Sequence, residues 1–139
     1  ARHSVLRKYV ALVKGRVEFN EDVIEAPIGR HPRQREKMSV SFVSKHRDAK
    51  TRYRVIKRSP RATLLELTPF TGRTHQLRVH LSFIGHPILG DKKYGRDTSF
   101  SRLALHSYHI GFVHPRLGNF IEVKTDMPEE FLEAVGDFA

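Results

Sequence analysis

Apolar and polar positions alternate over much of this chain with the two-residue period of half-buried strands. Lys8 to Val17 is β-branched and aromatic enough for a strand broken by Gly15, and Asp22 to Ile28 supplies a short partner. Ser39 to Val43 predicts a further strand. In Thr51 to Lys57, the positions Thr51, Tyr53 and Val55 alternate with Arg52, Arg54 and Ile56. After Ser59-Pro60-Arg61, the run Ala62 to Pro69 reads as the hairpin partner. Leu103 to Val113 and Asn119 to Thr125 predict a second hairpin around His114-Pro115-Arg116-Leu117-Gly118.

Between the hairpins the period becomes helical. Leu77, Leu81 and Ile84 fall at i, i+4 and i+7 on one side, and His75, Arg78 and Ser82 at i, i+3 and i+7 on the other. Thr71 or Thr74 suits the N-cap, Gly85 the position past the C-terminus, and Pro87 stops continuation. One face therefore anchors the helix while the other presents cations and hydrogen-bond donors. A glycine-rich loop, Gly85 to Gly95, follows, and a short helix capped near Asp126 with Pro128 in its first turn ends the chain. Strand runs with two isolated helices indicate an α+β domain with a mainly antiparallel or mixed sheet. A length of 139 residues suits one domain spanning 1–139.

Charge narrows the partner. The chain carries 25 Lys and Arg against 15 Asp and Glu, a net charge of +10, with a pI near 10.3. Such a field favours a polyanion, nucleic acid before others. A membrane surface fits less well, because no long apolar run exists and the basic residues are scattered over strands and loops. No signal-peptide pattern opens the chain, so a cytoplasmic, monomeric protein is expected. The absence of cysteine excludes disulfides, zinc-thiolate sites and a cysteine nucleophile within these residues. With no Trp, stacking on bases falls to Tyr, Phe, His or Arg. Gly29 to Lys37 is a basic run whose Arg30, Arg33 and Arg35 could contact phosphates as an arm; a solvated loop is the plainer reading.

The densest chemistry lies in Phe70 to His80, which holds Arg73, His75, Gln76, Arg78 and His80. The histidine sets His75/His80/His86 and His106/His109/His114 match no tight ligand spacing, so no metal is expected. His80-Leu81-Ser82-Phe83 fits the His-apolar-Ser-apolar pattern of two-histidine phosphoesterases, but that mechanism needs two copies and only one is clear.

Gly72-Arg73-Thr74-His75-Gln76-Leu77-Arg78-Val79-His80, with Gly85-His86-Pro87-Ile88-Leu89-Gly90-Asp91 and Tyr94-Gly95, closely resembles the G-R-[TS]-H-Q-[IL]-R-x-H and G-H-P-[IL]-x-G-D-x-x-Y-G run of RluA-type RNA pseudouridine synthases. Lys8 to Gly15 resembles that family's K-x-Y-x-A-x-V-x-G strand, Thr51 to Val55 its T-x-Y-x-V strand, and Leu105-His106-Ser107 its L-H-[SA] segment. The resemblance implies the C-terminal half of that family's catalytic domain. It implies isomerisation of uridine to pseudouridine in rRNA or tRNA, without cofactor or metal, on a nucleotide flipped from the stack. By the same resemblance, Tyr9 stacks on the base and takes part in proton transfer at C5, and Arg78 pairs with the catalytic aspartate. Arg73 and His75 become RNA-facing donors.

The pattern departs from the family in one respect. The family's catalytic aspartate lies in an H-R-L-D-x-x-T-S-G segment upstream of the tyrosine strand, and no residues here match it. His46-Arg47-Asp48-Ala49-Lys50-Thr51 lacks the leucine and the Ser-Gly and follows Tyr9, so Asp48 reads as a surface-turn residue. Asp91 matches a family position in the loop after the helix. Two functions follow: a pseudouridine synthase whose aspartate lies on other residues, or a non-catalytic RNA-binding module derived from the same fold. Lost central strands would also leave sheet edges exposed.

Overall fold

Val10, Ala11, Leu12 and Val13 are four consecutive residues with 0% exposure, the mark of a strand covered on both faces. In the computed structural model, which describes residues 6–42, 47–96 and 99–137, they lie in β1 (Leu6–Lys14). β2 (Glu21–Glu25), β3 (Ile28–Arg30), β4 (Met38–Val40), β5 (Lys50–Arg58) and β6 (Ala62–Pro69) follow in chain order. Then come α1 (Gln76–Phe83), β7 (Leu105–Val113), β8 (Phe120–Lys124) and α2 (Glu129–Asp137). Six strands form one sheet in the order β2-β5-β6-β1-β7-β8, while β3 and β4 pair separately; every pairing is antiparallel. The fold is α+β with an antiparallel sheet, as the hydropathy pattern predicts.

Several boundaries differ from the sequence expectation, each for a local reason. β1 stops at Lys14 because Gly15 turns the chain at φ +83. Val17 falls beyond the strand but stays buried, its N–H donating to Thr63 Oγ1 at 3.0 Å. The strand expected over Asp22 to Ile28 is divided: β2 pairs with β5, then Pro27, which has no N–H to donate, marks the switch to β3 and its partner β4. Gly29 and Arg30 of the basic run therefore belong to a strand, not to a loop. The strand expected at Ser39 begins at Met38 and ends at Val40, and Val43 lies outside the described residues.

Strand alternation separates two faces of the main sheet. Tyr9 stands opposite Leu67, which stands opposite Tyr53, so these three share a face with Thr51, Leu65 and Ala11. α1 packs on this face through Leu77 and the fully buried Leu81. A polar rung reinforces it: Gln76 Nε2 donates to Lys50 O (3.0 Å) and Thr51 Oγ1 (2.9 Å), while His80 bridges Thr51 Oγ1 (2.9 Å) and the Ala26 carbonyl (2.8 Å). Because a carbonyl only accepts, His80 carries its proton on Nε2 and takes the Thr51 hydroxyl proton at Nδ1. Burial holds this imidazole below its ordinary pKa, outweighing the bond to Ala26, so it is neutral.

α2 covers the other side of β1 and β6 with Phe131 and Val135, both at 0% exposure and each contributing about 1.5–3 kcal/mol of burial. On this face Tyr108, the extra residue of a bulge opposite Lys8 and Tyr9, donates its hydroxyl to Glu66. Burial first, then that bond, push the Tyr108 hydroxyl up to about 12. Among the described residues no helix is long and apolar enough to cross a membrane.

Candidate active site

α1 begins later than expected. Neither Thr71 nor Thr74 caps it; the N-cap is His75, in the left-handed region at φ 56 without a side-chain capping bond. The preceding turn is closed instead by the Gln76 side chain, whose Oε1 accepts from Thr71 Oγ1 (2.6 Å) and from the Arg73 N–H (3.0 Å). A non-glycine residue at positive φ costs about 1 kcal/mol or more, so this strain is stored where the donors cluster.

The polar face of α1 is largely covered rather than open to solvent. The loop after Gly85 folds back onto it: His75 Nδ1 meets the Tyr94 hydroxyl at 2.6 Å, Ser82 Oγ donates to Tyr94 O at 2.8 Å, and Arg78 donates twice to Asp91. The Arg78–Asp91 pair is bidentate, Nε to Oδ2 and Nη2 to Oδ1, each at 3.0 Å. Asp91 Oδ1 also accepts the N–H groups of Lys93 and Tyr94, both at 3.0 Å. Burial alone would push this carboxyl up, but the Arg78 bonds and the two backbone donors together hold it below the ordinary aspartate value. Arg78 is raised in turn, first by its hydrogen bonds to Asp91. Its guanidinium also lies over the Tyr94 ring, 5.0 Å from the centroid. Nη1 is left without a partner among the described residues.

The Tyr94 hydroxyl accepts the Met38 N–H at 3.0 Å, which leaves its own proton for His75 Nδ1. His75 is thereby set as the tautomer protonated at Nε2, on the ring edge turned away from Tyr94. Burial, then the charges of Arg78 and Lys93, lower its pKa against the opposing pull of Asp91. His75 is a neutral imidazole offering one N–H.

A cavity of about 220 Å³ opens between α1 and the first residues of β1. Tyr9, Arg73, His75 and Arg78 all line it, together with Arg7 and Leu105. Among the described residues no carboxylate lines it. The volume lies below the ~300–1,000 Å³ of drug-sized ligand sites, so the cavity admits one small group rather than an extended ligand. Arg7 was not singled out from sequence, although it stands two positions before Tyr9 and so on the same strand face. Tyr94 and Asp91 were visible only as motif letters, and nothing local announced that they would hold His75 and Arg78.

The remaining expected residues divide. Arg30 lines an adjoining hollow of about 330 Å³ with Arg47, Gly72 and Arg73, so it lies next to the Tyr9 cavity. Arg33 and Arg35 are exposed on the β3–β4 connection and reach neither space. That connection is ordered by His31, whose Nδ1 accepts the Arg33 and Gln34 N–H groups, and by Arg30 Nη1 on Arg35 O at 2.6 Å. Asp48 is exposed and offers only its carbonyl, to Arg73 Nε at 2.7 Å. His75, His80 and His86 are committed to different partners, His86 Nδ1 to the Lys14 carbonyl at 2.8 Å. His46 lies outside the described residues.

Comparison with known proteins gives one consistent result. The family model described as RNA pseudouridylate synthase matches residues 1–83. An uncharacterized RNA pseudouridine synthase of Bacillus subtilis, YlyB, is 41% identical over 134 residues, covering 95% of this chain and 44% of that protein. Ribosomal large subunit pseudouridine synthase D of Zymomonas mobilis is 39% identical over 140 residues, covering 94% of this chain and 44% of its own length. Among solved structures, human RNA Pseudouridylate Synthase Domain Containing 1 superposes with a TM-score of 0.80 at 30% identity, over 89% of this chain and 55% of the human one. The chain spans less than half the length of these curated relatives.

Proposed function

The chain belongs to the RNA pseudouridylate synthase family, and from that premise we propose that it supplies the base-stacking tyrosine, Tyr9, and the guanidinium, Arg78, of a site that isomerises uridine to pseudouridine in ribosomal or transfer RNA. The observation carrying this reading is that Tyr9 of β1 and Arg78 of α1, distant in sequence, line one base-sized cavity with Arg7, Arg73 and His75.

The reaction breaks the C1′–N1 bond of uridine, turns the base and forms a C1′–C5 bond; C5 gives up its proton and N1 takes one up, so product and substrate are isomers with no net change of oxidation state. Tyr9 offers its ring face to the base and its hydroxyl to the proton transfer at C5. Asp91 holds one edge of Arg78, so Nη1 is the edge that orients and keeps ionised the attacking aspartate, which belongs to a segment with no counterpart in these residues. Lysine in place of Arg78 would keep the charge but could not serve both carboxylates in one plane. Arg73 and His75 hold the flipped nucleotide, and Arg30, Arg33 and Arg35 meet phosphates farther along the RNA.

The test is tritium release from C5-labelled uridine in rRNA and tRNA transcripts by the intact protein. Release should require Tyr9 and Arg78: Tyr9→Phe should retain RNA binding but lose turnover by at least about a hundredfold, the scale of a general acid–base group. Turnover unchanged in Tyr9→Phe and Arg78→Lys would overturn the assignment.

A further inference from the structure

A second hollow lies on the other side of Tyr94, between the β3–β4 hairpin and the C-terminal end of α1, and its volume of about 620 Å³ is nearly three times that of the Tyr9 cavity. Lys37, Lys92, Lys93 and Arg96 line it, and among the described residues no acid does. Several other arginines are neutralised within the chain, Arg52 by Glu21 and Arg54 by Glu66 on the sheet and Arg102 by Glu130 of α2. Lys37, Lys92 and Arg96 have no such ion pair among the described residues, and Lys93 Nζ reaches only the Glu36 carbonyl at 3.3 Å. Four cations with no acid between them repel one another and gain most from an anion.

The same hollow is bordered by rings. Phe42 is 70% exposed and Phe83 54%, which leaves two aromatic faces in water beside the cations. An acidic peptide would use the charges and gain little from the rings. Single-stranded nucleic acid uses both, phosphates on the cations and bases on the aromatic faces. Duplex RNA, with its bases stacked inward, would again leave the rings unused.

Position completes the inference. Tyr94 lines this hollow, while its hydroxyl grips His75 and its ring underlies Arg78, both of which line the Tyr9 cavity. Tyr94 therefore links the two spaces through its contacts with His75 and Arg78. We propose that the hollow is a second nucleotide site, taking the single-stranded RNA that flanks the flipped uridine; this rests on the RNA-modifying reading of the Tyr9 cavity.

Binding of two fluorescent oligonucleotides to the intact protein tests it: a uridine-centred trimer with abasic flanks and uncharged methylphosphonate linkages, which offers neither base nor charge beyond the Tyr9 cavity, and a natural single strand of about fifteen nucleotides, long enough to reach further. The combined variant Lys37→Ala, Lys92→Ala, Arg96→Ala should bind the trimer as the wild type does. On the long strand its salt dependence should weaken by about two logarithmic units of slope, near 0.7 for each phosphate no longer neutralised. Phe42→Ala and Phe83→Ala should each weaken the long strand about tenfold, the order of one base stack, and leave the trimer unaffected. Melting temperatures equal to wild type would show that each variant is folded, and Lys92→Glu serves as a single substitution if the combined variant is not.

Unchanged affinity for the long strand in folded variants overturns the proposal. So does loss in the charge variant without loss in either phenylalanine variant, which marks a general polyanion surface. Equal loss on trimer and long strand places the effect in the Tyr9 cavity and overturns it as well. A wild type that binds neither oligonucleotide and releases no tritium fails the RNA-modifying reading first, and this inference with it.

Discussion

Asp91→Asn removes a charge while keeping the shape, and the surroundings fix what that costs. The Asp91 side chain has 0% exposure and accepts from Arg78 twice and from the Lys93 and Tyr94 N–H groups. Three of those donors share Oδ1, which asparagine can keep as its oxygen. Its new NH₂ then faces Arg78 Nε donor to donor, and the guanidinium loses its counter-charge. Breaking a buried ion pair costs about 3–5 kcal/mol. Arg78 keeps 21% exposure, and water can reach its free edge, so about 2–3 kcal/mol is expected. For a domain of this size that lowers the melting temperature by roughly 6–10 °C.

The sign of the pH dependence follows from the depressed carboxyl. Its folded pKa lies below the unfolded value of about 3.9, so its contribution is complete above the unfolded value and is lost as pH falls through the folded one. Thermal melts followed by circular dichroism should show a constant gap between wild type and Asp91→Asn above about pH 5, narrowing below about pH 4. A variant as stable as wild type at neutral pH, or a gap that persists undiminished into acid, would refute the assignment of Asp91 as the charged anchor of Arg78.

Three further outcomes are expected. Tyr94→Phe keeps the ring under Arg78 but leaves the Met38 N–H and His75 Nδ1 unpartnered; it should cost about 1–3 kcal/mol, and imidazole ¹⁵N shifts should show His75 passing from one tautomer to a mixture. His80 is held neutral, with a folded pKa below the unfolded value near 6.5, so stability should fall as pH drops below about 6.5; urea midpoints for His80→Gln should be flatter below that pH. Gly90 sits at φ +77, where a Cβ would lie 1.9 Å from the Arg102 carbonyl oxygen, and Gly90→Ala should destabilise by about 3 kcal/mol or more in the same assay.

Much of the sheet is legible in local pattern. β5 and β6 are recognisable because Tyr53 and Val55 alternate with cations and Ser59-Pro60-Arg61 provides a turn, and β1 because the apolar run Tyr9 to Val13 is followed by Gly15. The division of β2 from β3 was missed because the residues on both sides of Pro27 have strand character; only the choice of partner, β5 before it and β4 after, separates them. The helix start was missed for a related reason. Thr71 has the chemistry of a cap, but Gln76 and Lys50 claim its hydroxyl, and Lys50 lies 21 positions away in sequence, beyond any local signal.

The site shows the same division. Tyr9, Arg73, His75 and Arg78 stand out as residue types in a recognisable order, and periodicity shows that α1 has a polar face. It does not show what meets that face. Helical period records which positions avoid an apolar core, and a carboxylate held by a guanidinium avoids it as well as water does. Sequence by itself determined most of the strands, the presence of two helices, the excess of positive charge and the family, and it marked Tyr9, Arg73, His75 and Arg78 as candidates for the chemistry. Tertiary structure alone decided that Asp91 occupies one edge of Arg78 and that Tyr94 sets the His75 proton, because both depend on folding the loop after Gly85 back against α1. It also left four cations and two rings together beyond Tyr94, since unpaired charge is a property of which groups come near, and nearness belongs to the fold.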